Sequence, residues 1–117
     1  SGKDMYDRGG MAGKKALVLA SLGGRAHMFG EHALHGPLTD GMLRHLFQGT
    51  LGVVGYSVLE PFYAFHAPYV KPEARIEMLD QLRAHVGAAD ILPALRLPSL
   101  SDFDEKFRPL KAPDSAP

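Results

Sequence analysis

The sequence predicts an α/β domain built on a parallel sheet, and three observations predict it. First, Ala16-Leu17-Val18-Leu19-Ala20 is an unbroken apolar run that stops at Ser21 and a glycine pair. A strand with one wet face would alternate polar and apolar residues, so this run reads as a strand buried on both faces, as parallel strands are. Second, residues 56–65 form another run rich in β-branched and aromatic side chains around Val58-Leu59 and Phe62-Tyr63, the composition of a pleated, packed surface. Third, each run is followed by a stretch of helical periodicity. Strand, helix, strand, helix with right-handed crossovers is the order of a doubly wound sheet.

The elements follow in order. Residues 1–13 are rich in glycine and charge and read as a loop from which Met5 and Tyr6 can dock. Residues 22–37 are too broken by glycine for a helix and too long for a tight turn, and they hold three of the six histidines; that length suits a working loop. From Thr39, a plausible N-cap, Met42, Leu43, Leu46, Phe47 and Leu51 recur at helical spacing, with Asp40, Arg44, His45 and Gln48 on the other face. The pattern is interrupted at Gly49 and ends by Gly55. Pro61 restricts the second strand near its end. Pro72 suits a first helical residue, Ile76, Leu79, Leu82 and Val86 fall on one stripe, and Gly87 stops the helix. Residues 88–117 form an extended tail with prolines and scattered Leu and Phe, loose over 112–117. The core is thus a βαβα unit over residues 14–87. Two strands and two helices cannot cover both faces of a parallel sheet, so these elements amount to about half of one doubly wound domain. The remainder is expected from a longer polypeptide or a complementing chain.

Composition narrows the function. A chain of 117 residues has room for one domain. Its 45% hydrophobic and 22% charged residues are ordinary globular proportions. Thirteen basic side chains balance 13 acidic ones, so the electrostatic footprint of a general nucleic-acid binder is missing. No apolar run approaches the roughly 20 residues that span a bilayer. With no cysteine there is no disulfide framework, thiolate nucleophile or Cys-based metal site, which is compatible with the expected cytoplasmic location.

Several stretches carry a more specific signal. Met5-Tyr6-Asp7-Arg8-Gly9, Lys14 through Gly24, Leu34-His35-Gly36, Gly49-Thr50-Leu51-Gly52, Val58-Leu59-Glu60-Pro61 and Pro72-Glu73-Ala74-Arg75-Ile76 occur in one order. Over about residues 5–86 they resemble the carboxyl-terminal half of the NAD(P)H:quinone oxidoreductase (DT-diaphorase-like) family. The resemblance implies a flavodoxin-like fold with a five-stranded parallel sheet, working as a homodimer with the flavin site near the subunit boundary. It implies FAD or FMN as cofactor, NADH or NADPH as hydride donor, and a quinone or similar flat electrophile as acceptor in a two-electron ping-pong cycle. In that family the preceding half supplies the flavin phosphate loop and an aromatic loop beneath the ring.

Carried onto this sequence, the resemblance puts Ser21, Leu22, Gly23 and Gly24 against the flavin. Glycines at the carboxyl end of a strand let backbone approach a planar ring and aim N–H groups at developing negative charge. Family members commonly have hydroxyl residues before the pair; Ser21 fits that pattern and Leu22 departs from it. His35 matches a family histidine that stabilises charge at the flavin pyrimidine edge, a task suited to imidazole near neutral pH. Phe29 stands where the family usually has an assisting tyrosine; it walls a pocket but has no hydroxyl to donate. Arg75 matches an arginine that contacts the flavin, the competing reading being a solvated charge paired with Glu73 or Asp80. Tyr63, Phe65, Phe62 and Tyr69 are candidates for a quinone pocket, a dimer boundary or plain core. His27, His32 and His35 lie close in sequence, but no helix aligns them and Glu31 is the only near carboxylate, so no metal site is expected.

Two alternatives to the enzyme stand beside it. Some relatives of the family are ancillary subunits of potassium-efflux systems, and the missing hydroxyl at Phe29 leans that way. A half-domain without flavin is the other.

Overall fold

A computed structural model describes residues 4–110, so the expectation for residues 112–117 lies outside it. Four short strands carry the fold: β1 (Lys15–Ala16), β2 (Leu19–Ser21), β3 (Ser57–Val58) and β4 (Phe62–Ala64). β1 pairs with β3 and β2 with β4, both parallel. Each predicted strand is therefore present but divided in two. Ala16 faces Val58, an offset of 42 residues, whereas Leu19 faces Phe62, an offset of 43. One extra residue sits in the second strand, as in a β-bulge. Pro61 explains its position: without an N–H it cannot continue the ladder, so it breaks the strand in the middle rather than near its end. The ladder resumes through Leu59 N–H to Ala16 O at 2.8 Å and Phe62 N–H to Val18 O at 3.1 Å.

The crossover between the strands is helical but wider than expected. Two π-helical segments, Leu38–Met42 and His45–Gly52, take the place of one α-helix. Their i→i+5 bonds include Met42 N–H to Pro37 O at 3.0 Å, Leu43 N–H to Leu38 O at 2.8 Å and Val53 N–H to Gln48 O at 2.8 Å. Leu38 and Phe47 face the interior, Phe47 at only 1% exposure, while Met42 of the expected apolar stripe is exposed. The cap is also displaced: Pro37 precedes the first turn, and Thr39 lies inside it with its hydroxyl turned to Tyr63.

The second helix, α1 (Pro72–Gly87), begins and ends where proline and glycine predict. Of its stripe, Leu82 is half-buried and turns to β2 and β4, lining a cavity with Leu19 and Phe62, while the other three positions stay exposed. Ile76 is 62% exposed, Leu79 48% and Val86 45%. Leu19 on β2 is half exposed as well, and the outer edge of β1 and β2 pairs with nothing among the described residues. The buried core is small: Leu38, Phe47, Val58, Leu59 and Leu100.

Two outlying segments dock on that core. The amino-terminal loop is tied to residues 53–55 by Tyr6 N–H to Val53 O and Met11 N–H to Val54 O, each 2.9 Å. Gly9 is buried there against the backbone of Val54, where any Cβ would collide with the carbonyl, so only glycine fits. The tail crosses the far edge of β3: Leu59 and Ala94 form an antiparallel bridge, with Leu95 N–H to Val58 O at 2.7 Å and Glu60 N–H to Pro93 O at 2.9 Å. Beyond it, the Asp7 carboxylate accepts from the Ser99 hydroxyl at 2.6 Å and the Leu100 N–H at 3.0 Å, which joins the two outlying segments.

Candidate active site

Because β2 and β4 run parallel, the loops that follow them leave the sheet at the same end. Leu22 still belongs to the ladder, its N–H donating to Ala64 O at 2.8 Å. The two loops are then laced together by Ala67 N–H to Leu22 O at 3.1 Å and His66 N–H to Gly24 O at 2.8 Å. His66 Nδ1 lies 3.4 Å from Gly23 O. His66 occupies the left-handed region at φ 56°, which turns the chain back onto the glycine pair. Among the described residues no hydrogen bond uses the N–H of Gly23 or Gly24. Both are free to donate to a ligand atom at the carboxyl end of the strand.

The two glycines differ in surroundings. A Cβ built on Gly23 would meet nothing within 4 Å, so that face is open. One on Gly24 would lie 3.1 and 3.2 Å from the Phe29 ring and 3.4 Å from Met28 Sδ. Gly24 thus lets Phe29 fold back over the loop. A 3-10 turn at Ala26–Met28 starts that return, and His35 N–H to Met28 O and Gly30 N–H to Gly36 O, each 2.9 Å, close it. The closure brings His35 against Phe29, ring centroids 5.2 Å apart at 38°. Phe29 also packs on Phe65, at 5.7 Å and 40°. His35 is exposed and available to a ligand; His27 and His32 are exposed without joining it, and no group of three His, Asp or Glu is arranged to hold a metal among the described residues.

Other expected residues are spread more widely. Ser21 and Leu19 line an open cavity of about 220 Å³ with Phe62, Ala64 and Leu82, on the α1 side of the strands. Arg75 is exposed on the first turn of α1 and forms no ion pair among the described residues, since Asp80 pairs with Arg83 at 3.4 Å. Its guanidinium is free. Of the four aromatic candidates, Tyr63 and Phe65 face the Phe29 cavity, Phe62 packs on His85 of α1 at 5.5 Å, and Tyr69 is 69% exposed.

Two participants escaped the sequence reading. His66 ties the glycine loop from the neighbouring strand, and its place just after the second strand run was the signal, since parallel strands share one loop end. Thr39 donates to or accepts from the Tyr63 hydroxyl at 2.9 Å; its N-cap composition concealed that.

A profile of the flavodoxin-like fold family matches residues 1–86. The chain belongs to the flavodoxin-like fold family. It is 32% identical over 76 residues to the Rattus norvegicus protein NAD(P)H dehydrogenase [quinone] 1, covering 65% of this chain and 27% of that one. The Cavia porcellus protein of the same name is 33% identical over 75 residues, 64% of this chain and 27% of that one. The chain thus spans about a quarter of the length of these curated relatives. A candidate quinone reductase structure from Klebsiella pneumoniae superposes with a TM-score of 0.83 at 20% identity, over 97% of this chain and 46% of that one. That likeness confirms the flavodoxin-like fold, and the match extends over about half of that structure's length.

The arrangement fits a flavin. An unobstructed glycine face, two unused N–H donors and an exposed imidazole suit the edge of a planar, electron-accepting ring.

Proposed function

We propose that this chain supplies the second half of a flavin-dependent NAD(P)H:quinone oxidoreductase, with FAD or FMN at the Gly23-Gly24 loop and a homodimer as the working form. The supporting observation is the loop itself: two glycines with unused N–H groups at the carboxyl end of β2, and His35 held beside them on the Phe29 ring. When bound, the flavin supplies the redox chemistry, taking hydride from NAD(P)H and passing it to the acceptor. The protein residues do the positioning. Gly23 would let the ring approach, the Gly23 and Gly24 N–H groups would be donors to it, and His35 would be a further hydrogen-bond donor beside them. Phe29 orients His35 by ring packing and keeps water from one side. Arg75 offers a cation to the anionic parts of the cofactor.

The chain's own residues make one wall of such a site, so turnover requires the complementary half. The test uses the protein isolated at its native mass. Flavin absorbance and oxidation of NADH and NADPH with 1,4-benzoquinone are measured on that material. Bound flavin with turnover supports the reading; bound flavin without turnover overturns the enzyme. Isolation without flavin that neither FAD nor FMN restores would overturn the cofactor site too.

A further inference from the structure

Side chains alternate across β4, and that alternation separates the aromatic residues into two groups. Phe62 and Ala64 face α1. Tyr63 and Phe65 face the opposite side, where they line an open cavity of about 320 Å³ with Phe29, Pro37, Thr39 and Asp40. Phe29, Phe65 and Tyr63 form a continuous set of tilted rings, with centroids 5.7 and 5.9 Å apart. The cavity is thus aromatic on one side, and its fixed polar group is the hydroxyl pair of Tyr63 and Thr39, 2.9 Å apart.

The chemistry of that pair selects the ligand. Two hydroxyls bonded to each other consume one O–H proton, so one donor remains for a third partner. Burial pushes the pKa of the Tyr63 phenol above its ordinary value; the hydrogen bond with Thr39 lowers it and the Asp40 charge raises it further. The phenol therefore stays protonated through the physiological range. Asp40 at the cavity disfavours anions, and no lysine or arginine among the described residues lines it to offset that charge. A neutral, flat ring bearing a carbonyl oxygen matches the remaining features.

We propose that Tyr63, held by Thr39, is a specificity-determining residue that binds a carbonyl oxygen of the acceptor in the Phe29–Phe65 cavity. It rests on the quinone-reductase reading and adds the acceptor subsite to it.

The test is titration of the protein isolated at its native mass with menadione, followed by NMR. The ring signals of Phe29, Tyr63 and Phe65 should shift. Tyr63→Phe, which keeps the ring and removes the hydroxyl, should raise Kd roughly 2- to 13-fold, the loss of one neutral hydrogen bond. Thr39→Val should give a smaller rise in the same direction and serves if Tyr63→Phe loses its native spectrum. Tyr69→Phe, outside the cavity, should match the wild type. A Tyr63→Phe affinity within twofold of wild type, or menadione shifts confined to other residues, overturns the proposal. A parallel titration with riboflavin reads the Gly23 and Gly24 amides. Shifts there without menadione binding in the cavity refute the acceptor subsite alone, whereas silence in both titrations refutes the flavin wall as well.

Discussion

Adding a single methyl group at each of the two loop glycines should produce opposite results. Neither Gly23 nor Gly24 has a positive φ, so alanine is allowed by the backbone at both. At Gly23 the new methyl meets nothing within 4 Å. Alanine there should leave stability unchanged or raise it by about 0.4–1 kcal/mol through the less free unfolded chain. At Gly24 the methyl falls 3.1 and 3.2 Å from the Phe29 ring, short of the roughly 3.5–4.0 Å of a normal carbon contact. Phe29 must move by a few tenths of an ångström, and overpacking of this kind costs about 1–3 kcal/mol. Set against the same unfolded-state gain, Gly24→Ala should be about 1–3 kcal/mol less stable than Gly23→Ala. Urea unfolding followed by far-UV circular dichroism measures that difference. The functional effects should cross over. Gly23→Ala obstructs the open face and should weaken riboflavin binding while His35 keeps its ring shifts. Gly24→Ala should displace the His35 signals, because Phe29 carries His35 with it. Equal stabilities for the two variants, or unchanged riboflavin affinity in Gly23→Ala, would refute the assignment of the two faces.

Phe47 is 1% exposed in a core of few residues, so Phe47→Ala should cost about 3–5 kcal/mol and leave the chain largely unfolded by circular dichroism at 25 °C. The bonds from Ser99 and Leu100 hold the Asp7 carboxyl below its ordinary pKa. Its contribution to stability is therefore complete above 3.8, the unfolded value, and is lost as pH falls through the lower folded value. The Leu100 amide shift should titrate in that acidic window, and Asp7→Asn should abolish the titration and loosen residues 99–102 at neutral pH. Ile76→Glu and Leu79→Glu alter half-exposed positions, so each should change the stability of the isolated chain by less than about 0.5 kcal/mol. In the native-length protein the same substitutions should cost several-fold more by urea unfolding; equal effects in the two contexts would show that nothing covers the stripe.

The large features of the fold were legible because each rests on a local signal. The apolar run ending at Ser21 and the Pro72 to Gly87 span appear as expected, and the parallel pairing follows from the order of elements. The division of each strand was not legible, since it depends on where Pro61 falls opposite the first strand in the folded register. Nor was the wide winding of residues 38–52. Apolar positions at 42, 43, 46, 47 and 51 suit a 3.6-residue repeat, whereas the chain there closes i→i+5 bonds, a winding that the apolar spacing does not encode. In the site, His35 and Gly24 were found as residue types in a loop. Their connection through Phe29 depends on the 2.9 Å closure between His35 and Met28, which no spacing encodes.

The exposed stripe of α1 joins these points. Helical periodicity is selected by burial, because an apolar stripe lowers free energy only when it leaves water. Ile76, Leu79 and Val86 keep the periodicity while they are 62%, 48% and 45% exposed. The outer edge of β1 and β2 repeats the pattern, with Leu19 at 49% and a row of backbone groups that no strand among the described residues pairs. An unprotected parallel edge invites pairing with another strand. Stripe and edge belong to the same side of the chain, the side of the cavity formed by Leu19, Phe62 and Leu82. One parallel strand followed by one helix would cover both, and that is the repeating unit of this fold. The exposed stripe and the edge left unpaired among the described residues are thus the surfaces from which a further strand and helix would remove apolar area from water.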